Sequence, residues 1–377
     1  MEFSASGLSS GVTVASRALT NWFPTPTLIF PRSAGIDISD ASIKWIVLAK
    51  SGSGYRVETY GEEPIPEGVV VNGMIKNVEA LGQTLNKVKK YLGGIEYAHT
   101  ALPEEAAYVF EMHVPEGISR EEVLHMIEFE FDGRVPIAPA AAAFDFDVIQ
   151  HHDGLGEEIS VIVFPRELAE IYVSAFNVAG ITLLSLEVEA RSIARAVSSG
   201  AEDEPITLLV DFGRARTGFA LLKRGIPIFT STVEIGGDGI NRVLMDKLSL
   251  SAADAVVFKN EQGLRPSDGI KSSGLDAIIG SASALADEIA RHYHYWDTRR
   301  NEHGDRMTPV GQIILVGGSS NINGLTDYIT GRVHAPTADG DIWRHVCNFD
   351  EYIPPINRRM SLQYATAVGL ALRSLPL

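Results

Sequence analysis

Residues Thr207 to Lys223 read TLLVDFGRARTGFALLK: an apolar strand ending in one carboxylate, a turn of small and hydroxylated residues, and a second apolar strand. The same plan occurs once before. Gly35 to Ala49, GIDISDASIKWIVLA, places Asp37 where the later copy has Asp211, 174 positions on, and Ser39 where it has Gly213. Each segment alternates apolar and polar positions around a tight turn, which is the signature of a β-hairpin. One hairpin is a local motif, and its Asp is also what an ordinary polar turn carries. Two matched hairpins suggest a duplicated α/β domain.

Turns built from Ser, Gly, Ala and Thr let backbone N–H groups and hydroxyls point into one concave space, which suits phosphate oxygens. The preceding carboxylates would repel a polyphosphate unless a divalent cation lies between them. Asp37 and Asp211 are therefore expected to hold Mg²⁺ through its water shell. A third signal of this kind is QIILVGGSSNINGL, a buried strand entering a Gly317-Gly318-Ser319 turn. A fourth is VEIGGDGINRVL, where Gly236 and Gly237 open a helix and Asp238 is its expected N-cap.

The bulk composition bounds the function. With 377 residues, 45% hydrophobic and 21% charged, the chain is an ordinary globular protein with core to bury. A formal net charge of −16 argues against general affinity for nucleic acid or an anionic membrane surface. A single cysteine, Cys347, excludes an internal disulfide and any Cys-based zinc site. His113, His125, His151 and His152 lack metal-ligand spacing. No apolar run reaches the length of a membrane span. Near the N-terminus, Leu8, Val12, Ala15, Leu19 and Phe23 fall at helical spacing before Pro24, an expected surface helix or arm.

Between the hairpins, Val78 to Leu92 reads as a half-buried helix. Ser119 and Glu122 make a capping box opening the next one. That helix belongs to a β-α-β-β inset of about 60 residues. Then comes Arg166 to Val178, a further helix, and GITLLSLEVEARSIARAV, a strand running into a helix that crosses between the two halves. The crossing is expected to bring Glu187 and Glu189 to the cleft floor, where a Glu at a helix start is either a surface carboxylate favoured by the helix dipole or a group that positions an attacking water.

The order of these signals resembles the actin-like ATPase superfamily, with two phosphate loops, a connecting helix and an adenosine loop. Within it, GIDISDASIKWIVL, PIPEGVVVNGMIKN, TALPEEAAYVFEMHVP, RVPIAP, EVEARSIARAV, LLVDFGRARTGFALL, IGGDGINRVL, ILVGGSSNINGL and YATAVGLALR are similar to segments of the PilM family of type IV pilus assembly proteins. The resemblance covers residues 33 to 377. It implies a duplicated actin-like fold with an FtsA-type inset: an extension (1–32), a first lobe (33–103 with 165–204 and 355–377), the inset (104–164), a second lobe (205–240 with 306–354) and its subdomain (241–305).

It also implies a site for ATP and Mg²⁺. Asp37, Ser42 and Lys44 match the first phosphate loop, and Asp211, Gly213 and Thr217 the second, with Ser39 and Arg214 expected to bind from within those loops. Gly236, Gly237 and Asp238 match the loop near the ribose, Lys259 the helix lysine near the nucleoside, and Gly317, Gly318 and Ser319 the adenosine loop. Glu189 matches the residue that positions water. The chain departs from the family at Ser39 and Asp40, where relatives have Gly then Ser, at Val256, where they have Glu, and around 336–349, which lacks their Asn-Pro ending.

The implied role is an adaptor, cytoplasmic and peripheral at the inner membrane through partners, that captures the N-terminal peptide of a PilN-like membrane protein and contacts the pilus assembly ATPase. Hydrolysis is expected to be slow at most. Two rival readings are an FtsA-like filament former and an actin-fold small-molecule kinase, which would need an acceptor pocket with a positioned base.

Overall fold

The computed structural model describes residues 31–52, 54–131, 133–152, 156–264, 272–299 and 308–375. The expected N-terminal helix lies outside them. The first hairpin is β1 (Ser33–Ile38) and β2 (Ser42–Ser51), followed by β3 (Gly54–Pro64) and a short pair, β4 (Val70–Val71) and β5 (Met74–Ile75). Helix α1 (Val78–Lys89) is N-capped by Asn77, whose side chain accepts from Ala80 N at 3.0 Å, and buries Leu81, Leu85 and Val88. Then β6 (Tyr97–Leu102) returns parallel to β1.

The inset follows as β7 (Tyr108–Val114), α2 (Arg120–Glu130), β8 (Ala142–His152) and β9 (Gly156–Pro165). Its sheet runs β7-β9-β8, antiparallel throughout. The capping box is formed: Ser119 N donates to Glu122 at 2.7 Å and Glu122 N to the Ser119 hydroxyl at 3.3 Å. Ile127, Phe131, Ile159, Val161 and Val163 form a core of its own. The inset is also pinned to the second half of the chain. Lys223 Nζ lies 2.5 and 2.7 Å from the two Glu158 oxygens, and the Ser160 hydroxyl donates to the Pro227 carbonyl at 2.5 Å.

Helix α3 (Arg166–Val178) leads to β10 (Thr182–Val188) and the crossing helix α4 (Glu189–Val197). The second half repeats the first: β11 (Ile206–Phe212), β12 (Thr217–Lys223) and β13 (Ile226–Val233) form a meander. It continues through α5 (Gly237–Leu248), α6 (Ala252–Gln262), α7 (Ser272–Thr298), β14 (Val310–Val316), α8 (Leu325–Val333) and β15 (Thr337–Asp339). Two helices close the chain, α9 (Arg358–Ser361) and α10 (Ala365–Leu372).

The duplication is exact at the level of topology. One five-stranded sheet runs β3-β2-β1-β6-β10 and the other β13-β12-β11-β14-β15. In each, the first three strands pair antiparallel and the last two join in parallel. Strands covered on both faces read as near-continuous apolar runs, as LLV before Asp211 and IILV before Gly317 do. Among the described residues no helix is long and apolar enough to cross a membrane.

Candidate functional site

In parallel sheets, ligands gather beyond the carboxyl ends of the strands. Here β1 ends beside Asp37, β6 runs into Glu104, β10 into Glu189, β11 ends at Asp211 and Phe212, and β14 runs into Gly317. The fold brings these ends together. Burial, with Asp37 nearby, pushes the Asp211 carboxyl up to about 7, and Lys44 partly opposes the rise. Asp37 is likewise raised by burial and by Glu62, against Lys44. Asp211 therefore senses the charge of the other hairpin's Asp37 across the cleft.

Glu189 stands in the same cluster: burial raises it well above the ordinary carboxylate range, with Glu104, Asp37, Glu105 and Asp211 adding to the rise. Glu104 was not legible as a site residue. Its Oε1 accepts from Ala190 N at 2.8 Å, and burial and Asp211 raise its carboxyl too. The available signal was its place immediately after a parallel strand. Glu187, expected beside Glu189, is elsewhere. Burial opposes its charge, but Arg195, at 2.6 and 2.8 Å, and Arg373 hold it ionised, below the ordinary range. Strand alternation would put residues two apart on one face, but Glu187 is still in β10 whereas Glu189 already opens α4, so the change from strand to helix separates them.

In the first turn, Ser39 N and its hydroxyl both donate to the Ser42 carbonyl, at 3.0 and 2.9 Å. The Ser42 hydroxyl donates to Glu62 at 2.6 Å, and Lys44 Nζ lies 3.3 Å from that hydroxyl and 3.5 Å from Glu62. Lys44 is also the cross-strand partner of Asp37. Glu62 on β3 thus holds the two polar side chains of this loop.

In the second turn, Gly213 N donates to Arg216 O at 3.0 Å. Arg214 forms a rim ion pair with Asp238 at 2.8 Å. Thr217 is fully buried and donates its hydroxyl to Ile235 O at 2.6 Å, so it props the Gly236 loop instead of facing the cleft. That loop lies flat on the turn: Gly237 N donates to Gly213 O at 3.1 Å and Asp238 N to Arg214 O at 2.9 Å. The N-cap of α5 is Gly236, and Asp238 sits one residue inside the helix. A Cβ at Gly236 would lie 2.3 Å from the Ala215 carbonyl carbon, and no side chain fits between two backbones that close.

Lys259 is 4% exposed, and burial lowers its pKa to about 8, with Asp238 opposing and Arg214 adding to the fall. Its Nζ would be 2.8 Å from a Cβ on Gly237, and the Ser319 hydroxyl 2.1 Å. Lys259, Gly237 and Ser319 are thus immediate neighbours, supplied by three elements. Gly317 adopts φ +89° and packs against Asp211 and Phe212 at the end of β11. Gly318 rests near the Gln363 side chain. Beyond these residues an open cavity of about 560 Å³ lies between α6, the turn after Gly318 and α9, with Val256, Asn260, Asn321, Arg359 and Met360 in its wall. Arg359 donates to the carbonyls of Asn260, at 3.2 Å, and Asn321.

Among the described residues no three His, Cys, Asp or Glu side chains converge as direct ligands for a metal ion. A pair of opposed carboxylates suits a hydrated Mg²⁺, which keeps several of its waters, better than an ion needing an all-protein cage.

Two equivalent sheets facing one cleft, with a hairpin turn from each, define an actin-like fold. Solved structures of that class superpose on the chain. They include the ethanolamine utilization protein EutJ from Carboxydothermus hydrogenoformans (TM-score 0.53, 16% identity, 91% of this chain and 89% of that one) and MreB5 of Spiroplasma citri bound to AMPPNP (TM-score 0.52, 13% identity, 89% and 94%). A PilM-PilN type IV pilus biogenesis complex gives TM-score 0.76 at 19% identity over 92% of this chain and 100% of that one. Residues 35–375 match the family described as type IV pilus assembly protein PilM, and the chain belongs to that family.

Proposed function

We propose that this chain binds Mg·ATP between its two lobes and acts as an adaptor of a type IV pilus inner-membrane assembly, on the cytoplasmic side, where nucleotide occupancy holds the lobes in an arrangement suited to its partners. The carrying observation is that the Asp37 charge acts on Asp211, one carboxylate from each hairpin, over a floor of Gly237, Gly317 and Ser319. In this reading the lobes and inset have the boundaries given above. Asp37 and Asp211 hold the waters of Mg²⁺, which neutralises phosphate charge. Lys259 faces the ribose end, and the base enters the cavity beside Val256 and Asn321.

Slow turnover fits an adaptor that gains from long nucleotide residence, and Asp40 and Val256 depart from the family pattern. Calorimetric titration tests the site: Asp211→Ala removes most Mg·ATP affinity, and an unchanged affinity and Mg²⁺ dependence would reject the assignment.

The partner in this reading is the extended N-terminal peptide of a PilN-like membrane protein, docked between the first lobe and the inset through apolar anchors and main-chain hydrogen bonds. Strand β8 is an edge of the inset sheet, so its outer backbone groups are open to such pairing. Hydrogen exchange on the full chain with a synthetic peptide should protect β8 and the facing surface of α3. Protection confined to the second lobe would reject this docking mode.

A further inference from the structure

Arg216, at the end of the second turn, has no part in the reading above, yet it spans the cleft. Its Nη2 lies 2.9 Å from Asp40 Oδ1 in the first turn, and its Nη1 2.6 Å from Glu105 Oε1 at the root of the inset. All three side chains are partly buried, 22%, 26% and 28% exposed. Asp40 is itself anchored: it accepts from Asn72 N at 3.1 Å and Gly73 N at 2.8 Å. Gly73 O in turn accepts from the buried Tyr172 hydroxyl at 2.9 Å. The ion pair thus joins two fixed points, one on each half of the molecule.

Its location matters more than its strength. Asp40 stands three residues after Asp37 and Arg216 five after Asp211, so the clasp links the tips of the same two turns whose bases carry the facing aspartates. An anion lying between the turns meets a guanidinium whose planar fork is matched to phosphate as well as to carboxylate. It also meets the Asp40 charge, which repels it. The two nucleotides differ here. A diphosphate carries one phosphate fewer toward the turn tips, whereas a triphosphate brings a further, highly charged group there.

We propose that Arg216 and Asp40 form a clasp that reads the terminal phosphate: a nucleoside triphosphate takes Arg216 from Asp40, and a diphosphate leaves the pair closed. This rests on the nucleotide reading above. At Asp40 the opening strands no charge, because Asp40 keeps both backbone N–H donors and is partly exposed; at Glu105 it removes the counter-charge that offsets burial. The same exchange releases Glu105, which unties the second lobe from the root of the inset. Asp40 is therefore a competitor for phosphate at Arg216, and the terminal phosphate binds only by displacing it.

Calorimetric titration of the full chain with Mg·ATP and Mg·ADP tests this, with thermal melts establishing that each variant is folded. Asp40→Asn removes the competing charge and keeps one amide oxygen as acceptor for one of the two backbone N–H groups. It should tighten ATP by roughly ten- to hundredfold, the span of one charge-assisted hydrogen bond, and leave ADP unchanged. Arg216→Gln should weaken ATP and spare ADP. Changes that are equal for the two nucleotides, or absent, in folded variants overturn the clasp and leave the nucleotide site standing. Failure of the wild-type chain to bind either nucleotide overturns both.

Discussion

Gly317→Ala tests the geometry of the site most directly, because the neighbouring Gly318→Ala is a control one residue away. At Gly317 two penalties coincide. Its φ of +89° lies where a side chain costs about 1–3 kcal/mol. A Cβ there would stand 2.3 Å from Asp211 Oδ1 and 2.5 Å from Phe212 O, and relieving such overlap costs about 1–3 kcal/mol. Together they give a loss of about 2–6 kcal/mol, with the Asp211 carboxylate pushed off its position. At Gly318 a Cβ meets only the Gln363 side chain, at 3.4 and 3.6 Å, and the expected change is within about 0.5 kcal/mol. Equilibrium urea unfolding in chelator, without nucleotide, measures both. A Gly317→Ala midpoint equal to wild type, or one matched by Gly318→Ala, would refute the close packing of the Gly317 turn on the end of β11.

Two further outcomes are expected. His99 is 4% exposed, its ring nitrogens 2.7 and 2.6 Å from the hydroxyls of Ser185 and Ser374, and burial, with Arg373, lowers its pKa to about 4. Since the unfolded chain takes up that proton first, stability from this group is complete above pH 6.5 and is lost as pH falls toward 4. The loss is about 2 kcal/mol at pH 5, and in urea midpoints His99→Gln should lose this part of the acid dependence. Phosphate release should stay far below the roughly 1–100 s⁻¹ typical of kinases, and a steady-state assay reaching that range without partners would favour an enzyme over an adaptor.

What could be read in the sequence is what depends on near neighbours. The hairpins around Asp37 and Asp211, the Ser119–Glu122 capping box and helix Arg166–Val178 each follow from a local period, turn or cap. Their repetition in order was enough to indicate a duplicated two-lobed fold. The apolar stripe Ala282, Leu285 and Ile289 on α7 is buried for the same reason.

Tertiary structure alone decided where polar side chains find their partners. Glu187 and Glu189 are two residues apart, yet one is held by Arg195 and Arg373 and the other faces Asp37 and Asp211. Thr217, in a phosphate-loop position, spends its hydroxyl on Ile235. Glu104 joins the cleft because β6 lies between β1 and β10, a neighbour relation no local period records. Arg216 reaches Asp40 across 176 positions of sequence. Hydrogen bonds and ion pairs are short-ranged and directional, so their partners are settled only when strand order places distant segments side by side.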